Sequence, residues 1–361
     1  MSEQTPAVAL SEALPHTTQF QRHAVQFTAQ AGEFFRIWIV NILLSIVTLG
    51  IYSAWAKVRT NQYLYSHTKI AGHAFRYLAN PMQILKGRLI AVAVFAVFAV
   101  LNHFSPVMSL VLSLAMLAAF PWLMLQSLKF KLRMTAYRNV RFGFHGTYGG
   151  VFYHFILLPV LSVFTLYLAL PYVLKEMDAY VYNNISFGGK KASAELTAGT
   201  YYSSALMVIG VALIAGITVG ILGGVVAVAV GMLSAGIAKV VMALLIAALY
   251  LVIGVLTHAI WKCRVRNYVF NQLQIEQLAR FESTMDVTSY GLVVATNVVA
   301  VAFTAGLAYP WALIRLQKYS CDHTQVLLSD EIEQITDPSR QGSSAFAEEA
   351  SDLYDVDFAL T

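Results

Sequence analysis

The longest apolar tract, Ser203–Trp261, constrains this chain more than any other feature. Its 59 residues include no acidic side chain. A single helix of that length would be about 90 Å long, at about 1.5 Å per residue. The hydrocarbon core of a bilayer is about 30 Å thick, so the tract fits two membrane-spanning helices. We expect the break between them near Gly231–Gly236.

The rest of the chain carries further apolar segments of similar character. Hydrophobic residues make up 58% of the sequence and charged residues 12%, against about 25% charged in a soluble domain. The sequence therefore predicts a mostly α-helical, polytopic membrane bundle of about seven spans. The additional spans are expected at Phe34–Ala54, Leu89–Leu101, Val107–Leu125, Val151–Tyr172 and Ser289–Ala312.

Composition also divides the chain along its length. Residues 1–19 are small and polar, with two prolines and no periodicity, which is typical of disorder. Residues 20–330 form the predicted repeat-containing membrane domain. Residues 331–361 are rich in Asp and Glu and are expected to form an acidic, flexible tail.

Internal repeats are visible when the segment Ala31–Tyr77 is compared with later parts of the chain. A shift of 256 residues gives eight identities without a gap, and a shift of 117 residues gives further matches. We infer that the protein arose by internal duplication or triplication. The identities at the longer shift are Asn41/Asn297, Thr48/Thr304, Gly50/Gly306, Trp55/Trp311, Arg59/Arg315, Tyr63/Tyr319, His67/His323 and Thr68/Thr324.

A tryptophan followed by basic residues recurs in this repeat. Trp55, Trp122, Trp261 and Trp311 each follow an apolar segment and precede Lys or Arg. This pattern predicts interfacial anchors of an aromatic belt with positively charged flanks. The alternative is a basic, aromatic surface that binds lipid headgroups or another anionic ligand. Short strand-like pieces after each basic segment could pair into a small sheet at the membrane face.

The orientation in the membrane is weakly indicated. With seven full spans, one side carries 14 Lys and Arg residues and the other carries nine. This favours an external N-terminus and a cytoplasmic tail, although the basic run Lys262–Arg266 opposes it. If segments such as 151–172 and 289–312 were re-entrant, every repeat loop could share the cytoplasmic side.

Asn41 and Asn297 are the candidate intramembrane polar site, because they occupy equivalent positions within two predicted spans. A buried amide in lipid usually bridges helices by hydrogen bonding. The alternative is a substrate or ion site, because the interfaces between repeats hold such sites in transporters.

Other residues are weaker candidates. Three glycines at four-residue spacing predict a face for close helix packing, or less strongly a permeation path. His67 and His323 lack the ligand spacing of a zinc site, which favours structural hydrogen bonding. His154 and His258 are candidates for a proton relay, which the lack of an acidic partner within either span disfavours. Cys263 and Cys321 suggest no disulfide framework. The glycines are Gly216, Gly220 and Gly224.

Four short motifs resemble the YjgN-type bacterial inner-membrane proteins, a family of unknown function. The resemblance implies a multi-pass protein of the inner membrane over about residues 20–330, and it carries no active-site or binding residues. The motifs are Phe34-Phe-Arg-Ile-Trp-Ile-Val-Asn41, Thr48-Leu-Gly-Ile-Tyr52, Trp55-Ala-Lys-Val-Arg59 and Leu85-Lys-Gly-Arg-Leu-Ile90.

Three classes of function remain open from the sequence. A small-solute transporter or channel is favoured slightly by the repeats and the paired asparagines. A scaffold or lipid-interacting protein is favoured by the repeated basic, aromatic segments. A membrane enzyme is least favoured, since no catalytic motif is present. We expect membrane lipids as partners, with a homo-oligomer or another membrane protein left open, and no nucleic acid, metal or cofactor.

Overall fold

The computed structural model describes residues 19–101, 106–231, 235–333 and 335. The predicted disordered segment 1–19 lies outside this part of the chain except for Gln19. The predicted acidic tail 331–361 also lies outside it, except for its first few residues, where Asp330–Glu333 forms a short 3-10 helix.

The described chain repeats one motif, a helical hairpin followed by a β-hairpin. We number these units 1 to 5 in chain order. The helices are α1 (Ala31–Val47), α2 (Ser53–Ser66), α3 (Pro81–Leu101), α4 (Pro106–Arg133), α5 (Tyr148–Phe164, with a π-helical turn at Tyr153–Leu157), α6 (Leu170–Asn183), α7 (Ala198–Gly231), α8 (Ala235–Gln272), α9 (Val287–Phe303) and α10 (Tyr309–Asp322). Each unit takes one odd-numbered and one even-numbered helix.

The strands are equally regular. Each β-hairpin pairs a first strand with a second, and the last unit is completed by the N-terminal segment. The strands are β1 (Phe20–Ala24), β2 (Gln26–Phe27), β3 (Thr68–Ile70), β4 (His73–Tyr77), β5 (Thr135–Tyr137), β6 (Val140–Phe144), β7 (Ile185–Phe187), β8 (Lys190–Ala194), β9 (Leu273–Ile275), β10 (Ala279–Ser283) and β11 (Thr324–Ser329).

These strands form one 11-stranded antiparallel sheet that curls into a nearly closed barrel. The order is β1-β11-β10-β9-β8-β7-β6-β5-β4-β3-β2. Its two ends meet in the N-terminal segment, because β1 and β2 are separated only by Val25. Phe20 pairs with Ser329 at one side and Phe27 pairs with Thr68 at the other. The barrel thereby leaves little exposed strand edge.

Tight turns connect the two strands in three of the β-hairpins, the first at Ala71 and Gly72 between β3 and β4. Between β5 and β6, Arg138 and Asn139 have φ values of 48° and 64°, and Gly188 and Gly189 repeat this conformation between β7 and β8. Two successive residues with positive φ are the mark of a type I′ turn, whose twist matches that of the flanking strands. A buried cluster fills the inner side of these strands, where the rings of Phe142 and Phe187 lie 4.8 Å apart.

The helical hairpins come in two lengths. Within the residues that the structure describes, four helices are long and apolar enough to be candidate membrane spans, and they belong to units 2 and 4. They are Pro81–Leu101, Val107–Arg133, Ala198–Val226 and Lys239–Gln272. Units 1, 3 and 5 instead have first arms of about 17 residues and second arms of 14 residues. We call these the short hairpins and those of units 2 and 4 the long hairpins.

A threonine turn ends the first arm of every short hairpin. Thr48 Oγ1 donates to the carbonyl oxygen of Leu44 at 2.7 Å and accepts from the backbone N–H of Tyr52 at 2.9 Å. Leu49 and Gly50 then have positive φ, which reverses the chain. Thr304 stands at the same place in unit 5 and makes the equivalent two bonds. Thr165 in unit 3 donates to the carbonyl oxygen of Ser162, three residues before it, and likewise accepts from a backbone N–H beyond the turn.

The expected bundle of about seven spans is therefore wrong, and so is the expected small sheet. The segments predicted as spans at Phe34–Ala54, Val151–Tyr172 and Ser289–Ala312 each turn back at a threonine turn and carry two helices instead of one. The strands of all five units join in one barrel-like sheet because each second strand pairs with the first strand of the next unit.

Candidate functional site

The predicted tryptophan anchors lie at one level of the molecule. Each stands 11 residues before the end of its helix: Trp55 before Ser66, Trp122 before Arg133, Trp261 before Gln272 and Trp311 before Asp322. Tyr172 has the same position in α6. At about 1.5 Å per residue, all five rings lie about 16 Å from the β-hairpins. We call this level the aromatic ring.

The short hairpins end just beyond the aromatic ring. Their tips expose apolar side chains almost fully: Leu49 is 95% exposed, Leu166 84% and Phe303 89%. Ser53, the first residue of α2, is only two residues from Trp55, which is about 3 Å along the helix axis. Tips of this kind fit the boundary between headgroups and acyl chains, at a depth of about 5–10 Å.

Positive charge is concentrated on the barrel side of the aromatic ring. Among the Lys and Arg residues of the described chain, Lys239 alone lies near the far end of a long hairpin. Each even-numbered helix carries basic residues in the two or three turns between the aromatic ring and its β-hairpin, such as Arg59, Lys129 and Lys318. We call these residues the basic belt. An aromatic ring backed by bases is the usual arrangement at the cytoplasmic face of a membrane protein.

A cavity of about 520 Å³ opens between unit 1 and its neighbours. Its walls come from α1, α2, the start of α3 and the start of α10. Lys57 and Arg88 supply two positive charges, and Arg88 Nη1 donates a hydrogen bond to Ser53 Oγ. The remaining polar lining residues are Asn41, Ser45, Thr60 and Asn61. We call this space the unit 1 cavity.

Both predicted intramembrane asparagines are buried, and each bridges the two arms of its hairpin. Asn41 is 4% exposed and its Nδ2 lies 3.5 Å from the carbonyl oxygen of Ala56. Asn297 is 7% exposed and its Nδ2 donates to the carbonyl oxygen of Ala312 at 3.0 Å. The two residues are not brought together: Asn41 lines the unit 1 cavity, whereas Asn297 does not.

The acceptor atoms of the two amides differ. Asn297 Oδ1 accepts from Arg315 Nη1 at 3.3 Å. Asn41 Oδ1 is buried and has no hydrogen-bond partner among the described residues. A buried acceptor without a donor costs about 1–3 kcal/mol, so this atom distinguishes unit 1 from unit 5.

A second cavity of about 750 Å³ lies between α2, α4 and the barrel. Phe75 and Phe142 line it from the strands, and Lys131 lines it from α4. Lys57 and Asn61 line both cavities, so the two spaces adjoin at these side chains.

The predicted glycine face does not contact another helix of the described chain. A Cβ atom added at Gly216, Gly220 or Gly224 would meet nothing within 4 Å. Gly223 faces α8 instead, where the Cε of Met242 lies 3.5 Å from the position of an added Cβ. The trio is therefore exposed on the outer side of α7.

The predicted histidines have protein partners. His67 and His323 bond through Nδ1 to the carbonyl oxygens of Tyr63 and Tyr319 at 2.7 and 2.8 Å. His154 Nε2 lies 4.0 Å from Glu176 Oε2, an acidic partner that comes from the second arm of the hairpin rather than from its own helix. Within the described ranges, no group of three or more His, Cys, Asp and Glu side chains is arranged to hold a metal ion.

The remaining histidine has a tyrosine partner, and the two cysteines form no disulfide. His258 Nε2 lies 3.3 Å from the Tyr290 hydroxyl. Cys263 is buried and Cys321 is half-buried, and both are free thiols.

Sequence reasoning missed a recurring tyrosine that holds the start of each short hairpin to the end of its second helix. The backbone N–H of Gln30, just before α1, donates to the Tyr63 hydroxyl at 3.0 Å. Tyr180 and Tyr319 receive the same bond at 2.9 and 3.2 Å. The signal was available, because in each case the donor precedes the tyrosine by 33 residues. The other two donors are the backbone N–H groups of Thr147 and Asp286.

Comparison with known proteins supports the membrane assignment. Residues 22–353 match the family model described as bacterial protein of unknown function (DUF898). The chain is 28% identical over 197 residues to "Inner membrane protein YjgN" of Salmonella typhimurium, covering 54% of this chain and 47% of that protein. It is 33% identical over 142 residues to the protein of the same name in Escherichia coli O157:H7, covering 38% of this chain and 35% of that protein.

The alignments thus span about half or less of these relatives' length. A third relative of that name, from Escherichia coli K12, is 32% identical over 142 residues and has the same coverage of both chains. No solved structure matches the chain.

Proposed function

The chain belongs to the DUF898 family of bacterial proteins of unknown function, and we propose that it acts as a lipid-interacting scaffold at one leaflet of the inner membrane. It is a multi-pass membrane protein whose relatives are named inner membrane proteins. On this proposal, the protein binds anionic lipid headgroups without catalysing a reaction.

The observation that carries the proposal is the common level of the aromatic ring in all five units. Two long hairpins cross the bilayer, and three short hairpins enter only its boundary with exposed tips such as Leu49 and Phe303. Every unit therefore offers its aromatic residue and its bases to the same leaflet. Each Lys or Arg near an anionic surface contributes about 1 kcal/mol of attraction.

The charge distribution supports a cytoplasmic barrel. Two long hairpins return the chain to the side from which it started, so all β-hairpins share one side of the membrane. Of the described Lys and Arg residues, only Lys239 lies toward the opposite side. The positive-inside rule then assigns the barrel to the cytoplasm much more strongly than the count for seven spans did.

The test is the lipid content of the purified, full-length protein. We expect phosphatidylglycerol and cardiolipin to be enriched over their share of the membrane, by mass spectrometry of co-purified lipids. A basic-belt variant, Arg59→Gln with Lys129→Gln and Lys318→Gln, should lose most of this enrichment. The matched control removes three bases from strands of the barrel: Lys69→Gln, Arg141→Gln and Lys191→Gln. Wild-type protein without any enriched lipid or partner would refute the scaffold.

A small-solute transporter or channel is the second candidate, and the adjoining cavities favour it. A solute could pass from the unit 1 cavity to the barrel side at Lys57 and Asn61. On this alternative, Asn41→Ala should alter uptake of the solute. If Asn41→Ala and Asn297→Ala leave uptake of every tested solute unchanged, the transporter loses its basis.

A further inference from the structure

We propose that the unit 1 cavity binds the headgroup of one phospholipid whose phosphodiester is accompanied by a hydrogen-bond donor, such as an ammonium or a hydroxyl group. This rests on the lipid-binding function proposed above and gives it a specific site. The basic belt would attract many anionic lipids, whereas this cavity would select one headgroup by its chemistry.

The positive charge of the cavity calls for an anion. Lys57 and Arg88 line it, and no acidic residue is among its described lining. Arg88 donates to Ser53 Oγ and keeps further N–H groups for a ligand. Lys57 is exposed and makes no hydrogen bond or ion pair with any residue that the structure describes, and its three donors are therefore free for phosphate oxygens.

Asn41 adds a requirement that a phosphate alone does not meet. Its Oδ1 is a hydrogen-bond acceptor, is buried and lacks a donor within the described chain. Phosphodiester oxygens are also acceptors and cannot satisfy it. The ligand must bring its own N–H or O–H group, as phosphatidylethanolamine and phosphatidylglycerol do and phosphatidylcholine does not.

In unit 5, the chain itself supplies a hydrogen-bond donor to the asparagine that corresponds to Asn41. There Arg315 Nη1 donates to both Thr296 Oγ1, at 2.5 Å, and Asn297 Oδ1, at 3.3 Å. Thr296 thus holds the guanidinium beside the amide.

In unit 1 the corresponding residues are Val40 and Arg59, and valine has no hydroxyl to hold the arginine. Arg59 is exposed, and Asn41, whose side chain lines the cavity, has no described donor for its buried Oδ1.

The depth and walls of the cavity fit a lipid rather than a free anion. Lys57 follows Trp55 by two residues and therefore lies at the level where headgroups are expected. Trp38, Ile46 and Leu313 give the cavity an apolar wall, beside which acyl chains can leave toward the bilayer. Inorganic phosphate has no apolar part that could contact this wall.

The experiment titrates the purified, full-length protein with single lipids and follows bound lipid by native mass spectrometry. We expect phosphatidylethanolamine and phosphatidylglycerol to bind about tenfold more tightly than phosphatidylcholine, since a hydrogen bond to a buried acceptor is worth about 1–2 kcal/mol. Asn41→Ala should abolish this preference. Lys57→Gln with Arg88→Gln should weaken all three lipids by about tenfold or more.

Two further variants separate binding from folding. Asn297→Ala removes the same arm-bridging amide from unit 5, outside the cavity, and should leave lipid binding unchanged. Val40→Thr preserves size and gives Arg59 the hydroxyl that unit 5 uses. We expect it to satisfy Asn41 within the chain and to reduce the headgroup preference without unfolding the protein.

Three results would overturn the proposal. The first is equal binding of the three lipids to wild-type protein, and the second is an equal loss of binding in Asn41→Ala and Asn297→Ala. The third is full competition by inorganic phosphate at millimolar concentration, which would identify a free-phosphate site. If anionic lipids remain enriched through the basic belt while the cavity variants change nothing, the cavity assignment fails and the scaffold function stands.

Discussion

The short and long hairpins have the same architecture between the barrel and the aromatic ring, and they differ only beyond that ring. In both kinds, the second helix runs into a β-hairpin of the barrel and carries its aromatic residue 11 positions before its end. A short hairpin turns back about one helical turn beyond that residue. A long hairpin continues through candidate spans of 21 to 34 residues. The same unit can therefore either dip into a membrane or cross it.

The comparison teaches that tip chemistry, more than hydropathy, decides between these outcomes. The tips of the short hairpins are as apolar as a membrane span, with Leu49 and Ile51 in the first of them. What turns the chain is the threonine hydroxyl, which satisfies one backbone N–H beyond the turn, and two residues with positive φ. A backbone turn within a membrane boundary requires such internal hydrogen bonds.

The largest predicted effect concerns the side of the membrane on which a given position of the chain lies, because each fusion reports one side or the other. Alkaline-phosphatase and fluorescent-protein fusions after Gln272 and after Thr361 should both report the cytoplasm, because the short hairpin of unit 5 lies between them and does not cross. A fusion inserted after Gly231, at the far end of α7, should report the periplasm. Opposite sides for the first two positions would show that unit 5 spans the membrane and would remove the distinction between the hairpins.

The second prediction places one charge at each kind of hairpin. Leu114 lies in α4, eight residues or about 12 Å beyond Trp122, and is 57% exposed. Leu166 lies at a tip of a short hairpin and is 84% exposed.

We expect Leu114→Arg to cost about 3 kcal/mol of insertion free energy, as arginine does near the centre of a bilayer. Leu166→Arg should cost about 1 kcal/mol or less, because its guanidinium reaches the headgroups. The amount of membrane-inserted fluorescent fusion measures both, and equal losses would contradict the shallow position of the tip.

A third prediction concerns the tyrosine hydrogen bonds at the barrel end of the short hairpins. Tyr63→Phe, Tyr180→Phe and Tyr319→Phe each remove the hydroxyl that bonds to the start of a short hairpin. We expect each to cost about 1 kcal/mol, or about 2 °C in Tm. Tyr65→Phe is the control, since the Tyr65 hydroxyl bonds to no described residue and its ring, which the substitution keeps, packs against the cluster that contains Tyr77. A scan of thermal unfolding in detergent would distinguish the two outcomes.

The sequence predicts the level of the membrane surface better than the path of the chain. Trp55 and Trp311 were recognisable from their repetition, and the structure gives them equal positions in their helices. The apolar segment Phe34–Ala54 was long enough to span, so hydropathy alone could not separate one helix from two short ones. The signal lay in Thr48 and Gly50, whose recurrence was visible but whose turn geometry was not.

The barrel and the cavity were harder to predict for different reasons. Strands of two to six residues are too short to show a reliable alternation, and closure of the barrel pairs Phe20 with Ser329 across almost the whole chain. The cavity depends on where the repeats differ. The match of Asn41 to Asn297 suggested one shared role. Valine replaces threonine at the neighbouring position in unit 1, and of the two amide oxygens only that of Asn41 lacks a hydrogen-bond donor in the described chain.

The smallest predicted effect is a dependence on pH at the contact between a short and a long hairpin. Asp178 of α6 accepts a hydrogen bond from the Tyr201 hydroxyl of α7 at 2.6 Å. Burial raises the pKa of the Asp178 carboxyl above its usual range, against the opposing influence of Tyr201 and Lys262. The folded protein therefore holds this proton more tightly than the unfolded chain does. Its contribution to stability is present at low pH and is lost as the pH rises through the raised pKa.

Asp178→Asn should flatten this dependence, because asparagine can still accept from Tyr201 but does not ionise. We expect the Tm of the variant to rise relative to wild type as the pH increases from about 4 to 8. Tyr201→Phe leaves the carboxyl buried without its donor and should steepen the loss of stability instead. If both variants keep the wild-type slope, Asp178 is solvated in the folded protein, and the short hairpin of unit 3 is not packed against the long hairpin of unit 4 at this level.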